Sequence, residues 1–373
     1  MTTAMSDVLT ALSAAMNNES VPELNEEARR EAKAQSVYPL ICSDPLAMKY
    51  ISKNVNLMWE QQQLSAVLGS ISYVILKGSC AAIYYPQPIK RALGDIDILV
   101  DPKHFESAKE KLETSGYLKT DIDDRHIHYK HHDATIELHK RFATLNSAKQ
   151  EELLDEWLYS AKPEVGRIGK YSFPMPTDDL NGLVLLTHIN QHLEEGLGLR
   201  QILDWLLYVR HSLSDARWPS FKEKTDALGL TILAKTIAKF GQTYLKINQD
   251  ITWCLDADDK TVERLLNYII ECGNFGRKDA SNNTMIMIMS HGRGIKGFFK
   301  NLQDRGIKNW GSVQKHTWLK PFAWIYQLFR YIKKGIQKGG LKSLKENVNA
   351  SNNRNVLLDE LGLFGYSFRV KSQ

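Results

Sequence analysis

The sequence of 373 residues predicts an α+β protein, a small mixed-sheet domain joined to a larger all-helical one. Three observations carry this. Between Tyr73 and His139, short apolar runs with strand-like alternation are bounded by Gly, Pro and Asp and interrupted by two helical stretches. From about Ser147 onward the apolar positions recur at helical spacing instead. With 43% hydrophobic and 24% charged residues, the chain has enough apolar side chains for a sizeable core and room for about two domains.

Residues 1 to about 20 are small and polar and are expected to fray. From Val21 a helix is expected, with Pro22 in its first turn and Glu23, Glu26 and Glu27 where the helix dipole favours anions. A second helix is expected from about Pro45 to Leu68. Tyr73 to Leu76 reads as a short buried strand, Gly78-Ser79 as a turn, and Cys80 to Tyr84 as a helix ended by Pro86 and Pro88. Asp95 to Val100 reads as a second strand. Asp101 then caps a helix that has Pro102 at its first position, runs to about Ser115 and closes at Gly116. His126 to His132 and Thr135 to His139 are two further strands, paired through His132-Asp133. Helices follow over 148–161, 178–194, 198–211, 218–227, 231–245 and 259–272, with GRIGKYSFPMP between the first two as a loop or short strand. The organisation predicted is an N-terminal helical or flexible segment over 1–35, the sheet domain over 36–146, the helical domain over 147–290 and a basic, aromatic segment over 291–373.

No apolar run approaches the roughly 20 residues that span a bilayer. MTTAMSDVLTALSAAMNNES lacks the basic start and apolar block of a secretory signal, which predicts a cytoplasmic protein. Cys42, Cys80, Cys254 and Cys272 are scattered, which argues against a zinc site or a disulfide framework. The net charge of +5 is unevenly distributed. Between Arg293 and Glu346, 13 Lys and Arg face only Asp304 and Glu346, a net of +11 that leaves the rest of the chain at −6.

The chemistry concentrates in LKGSCAAIYYPQPIKRALGDIDILV, residues 76–100. Strand alternation points Asp95 and Asp97 to one side while Ile96 and Ile98 enter the core. Two carboxylates so close repel each other and desolvate badly unless a cation sits between them. Magnesium suits the pair, because it takes oxygen ligands from one or two carboxylates, water and substrate phosphates. Upstream, Gly78-Ser79 lies where a strand gives way to a helix, so its amides are free to meet an anion and Gly78 permits close approach. In ATIELHKRF, Glu137 and His139 share one strand face. If that strand lies beside the Asp-x-Asp strand, Glu137 completes a carboxylate triad able to hold two metal ions.

LKGSCAAIYYP, the GDIDILV strand and the later IELH together resemble the polymerase-beta-type nucleotidyltransferase superfamily. They are most similar to a bacterial branch of poorly characterised nucleotidyltransferases that accompany polysaccharide or peptide-modification genes. The resemblance extends through HINQHLEEGLGLRQILDW and, weakly, into KHTWLKPFAWIYQLFRYI, covering most of the chain after about residue 35. It implies that Gly78 and Ser79 bind phosphates and that Asp95, Asp97 and Glu137 are the catalytic carboxylates and metal ligands. Mg²⁺, with Mn²⁺ as the alternative, would be the cofactor and a nucleoside triphosphate such as ATP the substrate. The nucleotidyl group would pass to an acceptor hydroxyl or phosphate on a sugar, peptide or protein, releasing pyrophosphate. Two features depart from the family pattern: the 15 residues between Ser79 and Asp95, and a glutamate where the third aspartate is commoner.

Lys77, Arg91 and Arg200 are further candidates for nucleotide phosphates, Arg91 the strongest of them. Lys77 reads equally well as an exposed strand end, and Arg200 as an i,i+4 partner of Asp204. His126, His128 and His132 suggest a polar strand face more than a zinc site, because neither a cysteine nor a tight carboxylate partner is expected beside them. His188 and His192 lie four apart on a helix but lack the HExxH glutamate, so a packed or hydrogen-bonded pair is expected. The basic C-terminal segment, with Trp310, Trp318, Phe322, Trp324, Tyr326, Phe329 and Tyr331 among its lysines, reads either as a helix docked on the core or as a contact for RNA or for the inner face of the membrane. The rival classes are a catalytically degenerate nucleotide-binding protein and an RNA-binding accessory protein.

Overall fold

The computed structural model describes residues 1–122, 125–274, 302–303, 306–307, 310, 317–337 and 354–363. Its centre is a five-stranded mixed sheet of β1 (Tyr73–Leu76), β2 (Ile96–Val100), β3 (Leu118–Ile122), β4 (His126–His131) and β5 (Ala134–His139), in the order β1-β2-β5-β4-β3. Strands β2 and β5 pair in parallel and every other pair is antiparallel. Strand β2 is buried along its whole length, as a central strand covered on both faces must be.

The period-2 alternation of β2 and β5 separates two hydrophobic clusters. Ile96, Ile98, Val100, Ile136 and Leu138 pack on one face with residues of helices α4 (Pro45–Leu68) and α6 (Phe105–Thr114). Leu76 and Leu99 point the other way, into a larger cluster. It includes α1 (Thr3–Met16), α2 (Glu26–Ala34), α3 (Tyr38–Ile41), α7 (Ala148–Ser160), α8 (Asp178–Glu195), α9 (Leu199–Ser212), α10 (Trp218–Leu228), α11 (Thr231–Phe240) and α12 (Asp259–Cys272). Asp97, Glu137 and His139 lie on the same side of the sheet as Leu99, so they face the helical layer.

The N-terminal residues are not frayed as expected. Thr2 caps α1, and Met5, Val8, Leu9 and Leu12 bury an i, i+3, i+4, i+7 stripe in the larger cluster. Helix α2 starts later than Pro22, because the Asn25 side chain accepts the Ala28 N–H at 2.8 Å and sets the cap there. Strand β3 was not expected: it is an edge strand, exposed throughout, so LKTDI carries no apolar alternation. GRIGKYSFPMP falls within a hairpin of β6 (Glu164–Ile168) and β7 (Tyr171–Met175), turned at Gly169 with φ +58°.

Most of the basic segment over 293–346 lies outside the described residues. The part described includes the helix Ala323–Gln337, preceded by exposed Phe322 and carrying exposed Phe329. Among the described residues, no helix is long and apolar enough to cross a membrane.

Candidate active site

The parallel register of β2 and β5 places Asp97 directly opposite Glu137. Both line a cavity of about 390 Å³, formed by the ends of these strands, the loop after β5, and helices α8 and α9. Asp97 Oδ1 receives Lys77 Nζ at 2.8 Å and His139 Nε2 at 2.9 Å. His139 Nε2 also lies 3.2 Å from Glu137 Oε2, so one imidazole bridges the two carboxylates. On the other side of Glu137, His128 Nδ1 stands 3.4 Å from Oε1, and His128 and His126 meet Nε2 to Nε2 at 2.9 Å. Asp95, just before β2, lines the same cavity within hydrogen-bonding range of Glu137.

This crowding sorts the carboxylates. Asp95 meets solvent in the cavity, yet protein surrounds it on the remaining sides. That burial, followed by repulsion from Asp97, pushes its carboxyl up to about 6. Burial also raises Asp97, but the Lys77 ammonium and the His139 hydrogen bond outweigh it and hold the carboxyl well below its usual range. Glu137 is likewise held down, burial being overcome by His139 and Lys77. His139 is buried, which disfavours its charge, but its two carboxylate partners raise it.

The turn after β1 is less regular than Gly78-Ser79 alone suggests. Lys77 occupies positive φ, +56°, with ψ −135°, a sparsely populated conformation that costs a residue with a side chain about 1–3 kcal/mol. Its amine reaches back to Asp97, so Lys77 is an inward-facing member of the site. Gly78, at φ +33°, opens helix α5 (Gly78–Ala82) and lines the cavity. Ser79 sits one residue further round, fully buried, and its hydroxyl finds no partner among the described residues. Gly78 lines the cavity, whereas Ser79 is not among its lining residues.

The two candidate arginines separate. Arg91 is buried and gives Asp204 a two-pronged ion pair, Nε to Oδ1 at 3.0 Å and Nη2 to Oδ2 at 2.5 Å, while Tyr85 Oη donates to Oδ1 at 2.8 Å. Arg91 is thus committed to Asp204, and the expected Arg200–Asp204 pair does not form. Arg200 donates from Nη1 to the Ala92 carbonyl at 3.2 Å, and its Nε has no partner. Burial and then the neighbouring Arg91 bring the Arg200 guanidinium down to about 10. Among the described residues it is a buried cation on the cavity wall with no carboxylate in ion-pair range.

Sequence reasoning missed the groups that hold this arrangement. Asn54, buried on α4, donates to the Ile89 and Arg91 carbonyls at 2.7 and 2.9 Å and accepts the Leu93 N–H at 2.8 Å, which fixes the long segment before Asp95. On α8, Asn181 donates to the Cys80 carbonyl at 2.9 Å and so pins α5. A lone Asn within an amphipathic helix pattern gives no sign of such a role. His188 and His192 behave as expected, meeting Nε2 to Nε2 at 2.9 Å. Burial first, then nearby cations, keep both neutral, with His192 down to about 3.

The donor set fits a divalent metal. Asp97, Glu137 and His139 each offer one ligand atom within 4.8 Å of the others. With Asp95 beside them, the site presents three carboxylates whose mutual repulsion Lys77 and His139 only partly offset. Oxygen donors of this kind suit Mg²⁺ or Mn²⁺, and the adjacent imidazole is compatible with the latter.

The sequence model of a family described as uncharacterised nucleotidyltransferases matches residues 47–245, which includes every cavity residue named above. The match stops short of the aromatic stretch near Trp318. No curated protein and no solved structure matches the chain.

Proposed function

The chain belongs to the uncharacterised nucleotidyltransferase family, and from that premise we propose a divalent-metal-dependent reaction. In it, an acceptor hydroxyl or phosphate attacks the α-phosphorus of a nucleoside triphosphate, the bond to the β-phosphate breaks, and pyrophosphate leaves. The observation that carries the reading is the Asp97–Glu137 pairing across β2 and β5, with Asp95 beside it and the unpaired Arg200 on the facing wall of the same cavity. Asp95, Asp97 and Glu137 would hold Mg²⁺. Bound there, the metal supplies Lewis-acid stabilisation of charge on the phosphate oxygens.

The remaining work falls to groups of the chain itself. The Gly78 and Ser79 amides face the end of the triphosphate, where Gly78 permits close approach and a Cβ at that position would meet only Leu93, at 3.9 Å. Arg200 contributes a charge-assisted hydrogen bond to a phosphate oxygen, in a wall dry enough to strengthen it. Arg91 keeps the segment before Asp95 in place through Asp204. Lys77 holds Asp97 in its rotamer.

One feature favours a second reading. Lys77 and His139 both reach Asp97 Oδ1, so protein groups already occupy that ligand oxygen, as in a nucleotide-binding protein without chemistry. One assay separates the readings: incubation with each α-labelled triphosphate and Mg²⁺, following pyrophosphate release and labelled product. The expected result is turnover with at least one triphosphate that falls by at least about 1,000-fold in Asp95→Asn/Asp97→Asn. Triphosphate binding without pyrophosphate release across a panel of sugar, peptide and protein acceptors would favour the second reading.

A further inference from the structure

A second cluster of metal-type donors lies at the far end of strands β4 and β5 from the cavity. Glu60, on α4, is 2% exposed, yet its carboxylate faces the tight turn that joins the two strands. His131 Nδ1 lies 2.6 Å from Glu60 Oε1, and His132 Nδ1 lies 3.7 Å from Oε2. The three side chains offer one ligand atom each within 4.8 Å of one another. Tyr117 Oη donates to Glu60 Oε1 at 2.6 Å, and the Tyr117 ring stacks on His131 with centroids 4.1 Å apart. These contacts are of the kind that orient metal ligands from behind.

We propose that Glu60, His131 and His132 form a binding site for a zinc-type transition-metal ion, which fastens the β4–β5 turn to α4. Two imidazoles and one carboxylate are a donor set that zinc accepts in a tetrahedral arrangement. The fourth position faces a separate cavity of about 670 Å³ lined by Glu60, His132 and Asp133, where Asp133 or water completes the shell. Binding would exchange the direct His131 Nδ1–Glu60 contact for ligation of both groups and would give the buried Glu60 carboxylate a cationic partner.

The backbone gives independent support. His132 sits at φ +50°, the first residue of a two-residue hairpin turn, where glycine is the favoured occupant. Retaining a histidine there carries a conformational cost, and its ring projects toward Glu60 rather than into solvent alone. His132 is 65% exposed in its side chain, and its ring meets those of His131 and Trp59 with centroids 4.0 and 6.1 Å away. The proposal does not depend on the activity proposed above, since none of its residues lines the active-site cavity.

The test uses the full-length protein, stripped with chelator and titrated with Co²⁺ and with Zn²⁺. Bound equivalents are counted by elemental analysis, and the Co²⁺ visible bands report coordination. His132→Ala should lose one tight equivalent together with the tetrahedral Co²⁺ bands. Glu137→Gln, which damages the active-site donors instead, should keep that equivalent. His132→Gly separates ligation from turn chemistry: its metal-free melting temperature should equal or exceed that of the wild type, while the rise on adding Zn²⁺ is smaller. Retention of every equivalent in His132→Ala, absence of a tight equivalent in Glu137→Gln, or an undiminished Zn²⁺-induced rise in His132→Gly would each overturn the proposal.

Discussion

Arg200 and Asp204 lie four residues apart on one helix, and replacing them should shift stability in opposite directions. At neutral pH Arg200 is charged both folded and unfolded, but burial and Arg91 bring its folded value from 12.5 to about 10. That drop corresponds to about 3 kcal/mol against the folded state, present in full at every pH below about 10 and fading only as pH rises further. Arg200→Met removes the cost, fills similar volume with an apolar chain, and gives up one hydrogen bond to the Ala92 carbonyl worth about 1 kcal/mol. The expected outcome is a net gain of roughly 1–2 kcal/mol, a melting temperature higher by about 1–3 °C, and triphosphate affinity lower by about 10–100-fold. Asp204→Ala should instead cost about 3–5 kcal/mol, because Arg91 then stays buried without its partner. Scanning fluorimetry and calorimetric titration with a non-hydrolysable triphosphate measure both quantities. A lower melting temperature in Arg200→Met with unchanged triphosphate affinity would refute the reasoning and make Arg200 a structural arginine.

Two further outcomes follow from the same geometry. Because the Asp95 carboxyl sits at about 6, apparent Mg²⁺ affinity should rise about tenfold between pH 5 and pH 7 and then level off. In the metal-free protein the same raised carboxyl favours the folded state below about pH 4, an effect lost as pH rises through 6; Asp95→Asn should flatten the Mg²⁺ profile measured by calorimetry. Gly182→Ala, normally a stabilising change within a helix, should cost about 1–3 kcal/mol in denaturant melts, because the new Cβ would lie 2.3 Å from the Tyr208 ring and push α8 off the helix that carries Arg200.

What was legible in the sequence were features with a local signature. Strand β1 is recovered at its ends, β2, β4 and β5 to within a residue, and the His132-Asp133 turn follows from strand periodicity alone. Asp97 opposite Glu137 was expected only on condition that the two strands be neighbours, and the parallel pairing meets that condition. What escaped was set by contacts distant in sequence. The buried pairing of Arg91 with Asp204 was not legible because the two lie 113 positions apart. Helix α1 read as a frayed end because small residues such as Ala11 look polar-neutral in isolation, although here they permit close packing against the larger cluster. Strand β3 escaped because an exposed edge strand needs no apolar face.

The position of Lys77 ties the strained turn to the chemistry. A glycine at φ +56° would relieve the backbone, but no other described ammonium pairs with Asp97, and three carboxylates would then face one another with only His139 between them. The strain of about 1–3 kcal/mol is smaller than the roughly 3–5 kcal/mol that an uncompensated buried carboxylate costs, so lysine is the better residue despite its backbone. A lysine amine also has the reach to leave Asp97 for a polyphosphate, which a rigid arginine already bound on two sides, such as Arg91, does not have. The two cations are therefore unlike in role: Arg91 is spent on holding the frame, whereas Lys77 is held by the Asp97 charge, which a divalent ion would neutralise, and by the face of the Phe142 ring. Lys77→Gly should accordingly leave a folded protein whose Asp97 depends more strongly on added Mg²⁺, with a larger metal-induced rise in melting temperature than the wild type shows. An equal or smaller rise would mean that Lys77 does not compensate Asp97 in the metal-free state.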